Sequence, residues 1–175
     1  MRIILYQSST GTTERYAKLL AERTGLPCQS LEKTTAPTDA EVIFLGWLMG
    51  DSLQGLKSVK ARYANLIAVG AVGLFSMEKP RAEMEEKIAA GAPLFLLPGS
   101  FDPHRIKGMT RILIGMTLKA LKSKVGDGGN EKEREALRFF EEGVDGFDPD
   151  ALQELERFLR DGTTQAQTKK EEDPV

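Results

Sequence analysis

Four uninterrupted apolar runs in the first hundred residues most constrain the fold of this chain. They cover residues 3–5, 42–46, 66–73 and 93–99. Stretches with apolar residues at helical spacing separate them, as in residues 14–20. A strand that is apolar at every position is typical of a parallel sheet with helices on both faces. The alternation therefore predicts an α/β domain built on a doubly wound parallel sheet.

Glycine and proline set the bounds of several predicted elements. Gly25 and Pro27, for example, end the first helix in the usual way. The predicted strands are Arg2–Gln7, Cys28–Leu31, Val42–Gly46, Leu66–Gly73 and Pro93–Gly99, and the predicted helices between them are Thr12–Thr24, Leu56–Asn65 and Arg81–Ala90.

The junction between the first strand and the first helix is rich in hydroxyl groups. Residues 8–13 are five serines and threonines and one glycine, Gly11, with no charged side chain. Unpaired amide groups at a helix start carry partial positive charge, and hydroxyls add hydrogen-bond donors. Gly11 lets the backbone approach a ligand closely. The junction therefore favours a phosphate-binding loop, and a hydroxyl-rich helix cap without a ligand is the alternative.

Other kinds of phosphate site do not fit the sequence. A P-loop fails because no Gly-Lys-Ser/Thr follows, and a dinucleotide fingerprint fails because its glycine spacing is absent. The first predicted strand ends in Tyr6-Gln7 and the third in Leu45-Gly46, so the acidic pocket of a phospho-accepting receiver domain is missing as well.

The order Ser8-x-Thr10-Gly11-x-Thr13 resembles the phosphate loop of flavodoxins, which binds flavin mononucleotide (FMN) without lysine or arginine. The resemblance implies a flavodoxin-like doubly wound five-stranded parallel sheet of order 2-1-3-4-5. It also implies FMN as the cofactor. The residues that would hold its phosphate are Ser8, Ser9, Thr10, Gly11, Thr12 and Thr13.

Two further loops are expected to flank the flavin ring, because ligands of open α/β sheets bind beyond the carboxyl ends of the strands. These loops contribute Trp47, Leu48, Met49 and Gly50 after the third predicted strand, and Leu74, Phe75 and Ser76 after the fourth. The single tryptophan either covers a face of the ring or packs in the core.

Residues 103–126 depart from a plain flavodoxin. They include six lysines and arginines and no acidic residue. In helical projection their apolar side chains cover about two-thirds of the circumference, more than a core-facing helix needs. We therefore expect an extra basic apolar helix after the last strand, of a kind that binds an anionic membrane surface or a partner protein. A well-buried helix with a basic outer face is the alternative.

The phosphate loop, the exit at residues 73–76 and the segment at residues 97–107 are together similar to one flavodoxin-domain family, which includes the quinone-linked protoporphyrinogen IX dehydrogenase. That resemblance implies an insertion at residues 102–126 that faces substrate or quinone. It implies an FMN-dependent oxidoreductase with a small-molecule or protein redox partner, in which the flavin carries the redox chemistry. In such an enzyme no side chain need act as an acid or a base.

Two alternatives to an enzyme stay open, a one-electron carrier that docks on larger redox proteins and a cofactor-free binding module. Carriers are often strongly acidic for electrostatic docking, whereas the net charge here is only −2. The same net charge offers no case for nucleic acid as a partner.

The single cysteine, Cys28, and the lack of a signal peptide before the first strand indicate a cytoplasmic protein, peripheral at the membrane if the basic helix binds lipid. Helices at about residues 131–142 and 149–160 are expected to follow the basic segment. We expect residues 1–161 to form the flavodoxin-like domain and residues 162–175 to be a disordered tail.

Overall fold

The computed structural model describes residues 1–50, 52–74, 91–105 and 108–171, with side chains for all of these except residues 108–110, 113 and 163–171. The described strands are β1 (Arg2–Tyr6), β2 (Cys28–Ser30), β3 (Glu41–Met49), β4 (Ser52–Leu53), β5 (Asn65–Gly73) and β6 (Leu94–Pro98). The described helices are α1 (Thr12–Thr24), α2 (Leu56–Arg62), α3 (Gly108–Gly126), α4 (Glu131–Glu142), a 3-10 turn (Pro149–Leu152) and α5 (Gln153–Glu171). The predicted helix Arg81–Ala90 lies outside the described residues.

Five of these strands form a parallel sheet in the order β2-β1-β3-β5-β6. In its register, Ile4 of β1 lies between Cys28 of β2 and Ile43 of β3. The short strand β4 is antiparallel to the end of β3 and lies off this path. The flavodoxin-like order predicted as 2-1-3-4-5 is therefore confirmed. The order reverses between β1 and β3, and ligands of such sheets bind at the carboxyl ends of the strands at that point.

Buried side chains cover both faces of the sheet. The cluster under α1 and α5 includes Ile4, Tyr16, Leu20, Ile43, Leu97 and Leu155. The cluster under α2 includes Ile3, Phe44, Leu56, Val59 and Val69. Because successive strand residues point to opposite faces, a sheet covered on both sides requires apolar residues at consecutive positions. That requirement is why the apolar runs of the sequence predicted the layers correctly.

Two predicted bounds were wrong, one at the ligand edge of the sheet and one at the opposite edge. β3 was expected to end at Gly46, but it continues through Met49 because Leu48 and Met49 pair with Leu53 and Ser52 of β4. The residues from Trp47 to Met49 are therefore strand residues and not a loop. Likewise α2 ends at Arg62, because β5 already begins at Asn65.

The last helix, α5, extends to Glu171, whereas the sequence predicted an end near Arg160. The disorder expected for residues 162–175 stays a prediction. Residues 163–171 are one alanine, two glutamines, two lysines and one glutamate, which are good helix formers, together with three threonines and no proline.

The helices α3 and α4 pack against each other after β6. Asn130 and Glu133 form a capping box that starts α4. Lys122 of α3 pairs with Glu141 of α4 at 2.8 Å. None of the side chains that the structure describes between residues 100 and 151 is buried. This helix pair therefore lies outside the two buried clusters of the sheet.

A cluster of three phenylalanine rings connects the helix pair to the end of β6. The ring of Phe101 stacks on Phe139 at 5.0 Å between centroids and meets Phe140 edge-on at 5.6 Å. Phe101 and Val144 also exchange two backbone hydrogen bonds, of 2.8 and 2.7 Å. The end of β6 and the end of α4 are thus held together.

Candidate functional site

The turn between β1 and α1 has the geometry of an anion-binding helix start. Gly11 has φ 102°, a left-handed conformation that favours glycine, and it directly precedes Thr12, the first residue of α1. Its amide donates to Ser8 Oγ at 3.1 Å. The amide of Arg15 donates to the carbonyl of Gly11 at 3.0 Å and so closes the first helical turn. The amides that precede it have no carbonyl partner within the helix, and these are the groups that bind anions at helix starts.

The six residues of the predicted phosphate loop, Ser8–Thr13, form this turn at the carboxyl end of β1. Thr12 and Thr13 are 7% and 2% exposed. Ser9 is exposed, whereas Ser8 and Thr10 are half-buried. The loop therefore combines two threonines fixed in the fold with hydroxyls that solvent or a ligand can reach.

The predicted ring-flanking residues lie at the same edge of the sheet. The amide of Gln7 donates to the carbonyl of Leu45 at 3.0 Å, so the loop begins directly beside β3. Trp47 is half-buried and pairs with Val72 of β5. Leu48 packs on Gly73, since a Cβ added at Gly73 would stand 2.9 Å from Leu48 Cδ1.

Two apolar side chains at this edge are open to solvent. Met49 is 52% exposed and Leu74 is 50% exposed. Between β3 and β4, Gly50 has φ 59°. The structure thus brings Trp47, Leu48, Met49, Gly50 and Leu74 to the edge where the phosphate loop lies. The other two predicted ring residues, Phe75 and Ser76, lie outside the described residues.

A cavity of about 360 Å³ adjoins the phosphate loop. One wall is formed by Thr10, Gly11 and Thr12 of the loop together with Arg15 of α1. The facing wall comes from two later segments, residues 100–105 and residues 142–145. The loop therefore does not face open solvent on this side. It faces the chain that follows β6 and the chain that follows α4.

The facing wall contains an ordered carboxylate that the sequence did not reveal. Asp145 accepts hydrogen bonds from the Ser100 hydroxyl at 2.6 Å and from the Phe147 amide at 3.2 Å. The Ser100 hydroxyl, which donates to this carboxylate, lowers the pKa of Asp145 below its usual value. Arg15 lies 3.5 Å from Asp145 and 3.9 Å above the Phe147 ring. Ser100 and Asp145 are too far apart in sequence for any local pattern to pair them.

Arg105 and His104 lie in the turn that follows Asp102. Arg105 Nη1 donates to the carbonyl of Thr10 at 3.1 Å. His104, the single histidine, is exposed, and its amide donates to Asp102 Oδ1 at 2.9 Å. The contact of Arg105 with the phosphate loop was not expected, because no local pattern links residues 95 positions apart.

The extra basic apolar helix predicted after the last strand is present as α3. Ile112 and Met116, one turn apart, are 58% and 66% exposed. Arg111 and Lys119 are exposed too. None of the α3 side chains that the structure describes is buried, which does not fit the alternative of a well-buried helix. The expected contact with a membrane or a partner stays a prediction.

No helix within the described ranges combines the length and the apolar character needed to cross a membrane. The chain matches no protein-family model, and no curated protein matches it.

Proposed function

We propose that this chain is an FMN-dependent redox protein, a small flavodoxin-type oxidoreductase. The observation that carries the proposal is the position of the phosphate loop, Ser8–Thr13. The loop is a hydroxyl-rich, uncharged turn at the start of α1, and it lies where the strand order reverses between β1 and β3. A helix start at a strand-order reversal is the place where flavodoxin-like sheets bind the FMN phosphate.

The residues around the loop suit the chemistry of this cofactor. The loop offers backbone amides and hydroxyls to a phosphate and contains no acidic side chain. Asp102, Glu142 and Asp145 lie across the cavity from it, and Arg15 and Arg105 line the same cavity. The half-buried Trp47 and the exposed Met49 and Leu74 offer apolar surface at the same edge, as an isoalloxazine ring requires. FMN, when bound, supplies one- and two-electron transfer. Residues 47–50 and 74–76 would orient the ring and exclude water from it.

The first test is the absorption spectrum of the purified protein, with and without added FMN. We expect the purified protein to show flavin absorption bands. If it is purified without flavin, we expect it to bind one equivalent of added FMN and to retain it through gel filtration. A colourless protein that retains no added FMN would contradict the proposal, and it would contradict the electron-carrier alternative as well.

The second test locates the phosphate. In Thr10→Val and Thr13→Val a hydroxyl donor is replaced by a methyl group of similar size. Each is expected to weaken FMN binding about tenfold, the usual effect of losing one hydrogen bond to a charged group. Thr38→Val, at an exposed threonine in another loop, is the matched control. Unchanged FMN affinity in both loop variants would place the phosphate elsewhere.

A third test separates an enzyme from a carrier. Protoporphyrinogen and a reduced quinone are the first substrates to try, because of the resemblance at residues 97–107. We expect one of them to bleach the bound flavin in a single-turnover assay without air. Bleaching by a ferredoxin-type reductase alone would favour the one-electron carrier.

A further inference from the structure

The phosphate loop has no charge of its own, but a guanidinium group lies against it. Arg105 Nη1 donates to the Thr10 carbonyl at 3.1 Å. The same nitrogen is 3.3 Å from the point where a Cβ on Gly11 would stand. Arg105 therefore fills the side of the loop that the missing side chain of Gly11 leaves open.

The backbone around Arg105 is fixed by contacts that lead back to the sheet. The Arg105 amide donates to the Asp102 carbonyl at 3.1 Å, and Arg105 Nε lies 3.5 Å from the Asp102 carboxylate. This turn follows Phe101, which is bonded to Val144, and Gly99, whose amide donates to the Gly73 carbonyl at 2.8 Å. The backbone that carries Arg105 is thus connected to the ends of β5 and β6.

A second arginine at the cavity, Arg15, pairs through its guanidinium with residues outside the phosphate loop. Arg15 lies over the Phe147 ring at 3.9 Å and beside Asp145 at 3.5 Å, both in the segment after α4. Arg105, by contrast, contacts the loop itself. Its side chain is 67% exposed, and a guanidinium has five N–H donors. It can therefore keep its bond to Thr10 and still donate to an anion in front of the loop.

We propose that Arg105 supplies the positive charge of the phosphate site, so that the FMN phosphate is bound by two segments, residues 8–13 and residues 100–105. This inference rests on the proposed FMN binding and adds to it a specificity-determining residue. A phosphate dianion gains a charge-assisted hydrogen bond that an uncharged ligand of the same loop does not gain. The site should accordingly discriminate FMN from riboflavin through Arg105.

The test compares wild type, Arg105→Gln and Arg105→Lys, with Arg111→Gln as the matched control. Arg111→Gln removes the same charge from the exposed surface of α3. FMN and riboflavin are each titrated, with quenching of flavin fluorescence as the readout. We expect Arg105→Gln to weaken FMN binding about tenfold and to leave riboflavin binding unchanged. Arg105→Lys should retain part of the affinity because it keeps the charge but not the planar fork.

Ionic strength gives a second readout. Added salt screens an exposed guanidinium. FMN affinity should therefore fall with salt in wild type and in Arg111→Gln, and fall less steeply in Arg105→Gln.

The outcomes separate this inference from the proposed function. A wild type that binds no FMN overturns the proposed function, and this inference falls with it. If wild type binds FMN but with the same affinity as Arg105→Gln, this inference is overturned and the proposed function is not. Equal losses of FMN and riboflavin affinity in Arg105→Gln also overturn it, since they would show that Arg105 only maintains the shape of the loop.

Discussion

The hydroxyl of Tyr16, in α1, donates a hydrogen bond of 2.9 Å to the carbonyl oxygen of Pro98, the last residue of β6. The same hydroxyl accepts a bond of 2.8 Å from the amide of Asp148, just before the 3-10 turn. Tyr16 is fully buried, and its ring packs on Phe147 with 4.5 Å between the centroids. One phenol thus joins α1, β6 and the segment that leads into α5.

Replacing Tyr16 with phenylalanine should destabilise the fold. The substitution keeps the ring but leaves the Pro98 carbonyl and the Asp148 amide without this partner. Both bonds are partly buried, and the loss of a typical intramolecular hydrogen bond costs about 0.5–1.5 kcal/mol. Urea unfolding monitored by circular dichroism measures the change in the free energy of unfolding. An unchanged free energy would mean that water replaces the hydroxyl.

Tyr63 should respond to the same substitution in the opposite way. Its hydroxyl is buried and makes no hydrogen bond with any residue that the structure describes. Removing an unpaired buried hydroxyl relieves its desolvation cost, so Tyr63→Phe should be neutral or stabilising by about 1 kcal/mol. The same urea experiment compares the two variants. A loss of stability as large as that of Tyr16→Phe would contradict the prediction.

Alkaline pH should weaken the fold through Tyr16. Burial raises the pKa of Tyr16 above its ordinary value of 10.0, so the folded protein holds the phenolic proton more tightly than the unfolded chain does. The stability from this difference is fully present below pH 10.0 and is lost as the pH rises through the higher pKa of the folded state. Above pH 10.0 the free energy of unfolding should therefore fall more steeply in wild type than in Tyr16→Phe. Parallel pH profiles of the two proteins would contradict this prediction.

Cys28 should be unreactive at neutral pH. The thiol is half-buried in β2, and burial raises its pKa to about 11. Since the thiolate is the nucleophile, alkylation by iodoacetamide should be slow at pH 7 and should accelerate as the pH approaches that value. The chain unfolded in urea is the control, because its thiol has an ordinary pKa. Equal labelling rates for the folded and unfolded protein at pH 7 would rule this out.

The exposed surface of α3 should bind anionic lipid. Ile112 and Met116 offer apolar area beside Arg111 and Lys119, a combination that favours the interface of an acidic bilayer. We expect the protein to sediment at low salt with vesicles that contain phosphatidylserine, and not with vesicles of phosphatidylcholine alone.

The double variant Arg111→Gln/Lys119→Gln should lose this vesicle binding. Lys57→Gln/Lys60→Gln removes two charges from exposed positions of α2 and serves as its control. Failure of the wild type to sediment with acidic vesicles would refute the prediction.

The sequence predicted the sheet well because residue type and burial are linked at every position of a strand covered on both faces. Ile4 and Ile43, for instance, lie side by side in β1 and β3 as the expected order requires. The strand character of Leu48 and Met49 was missed. Their partner β4 has only two residues, too few for any periodic pattern.

The sequence predicted only the part of the candidate site that lies in one continuous segment. Ser8–Thr13 could be identified because a helix start leaves a continuous signature of hydroxyls and glycine. The contacts of Arg105 with Thr10 and of Asp145 with Ser100 join segments 95 and 45 residues apart. Contacts of that kind depend on how loops fold over the sheet edge, and composition does not encode them.

The helix pair α3–α4 contributes no buried side chain among those that the structure describes, whereas the sheet, α1, α2 and α5 all do. Hydrogen exchange should therefore reach the amides of α3 and α4 long before those of β1 and β3. Glu142, the last residue of α4, and Val144, just after that helix, line the cavity beside the phosphate loop. One wall of that cavity is thus built on a helix pair that buries none of its described side chains, whereas the loop on the other wall leads into a helix that packs in the core.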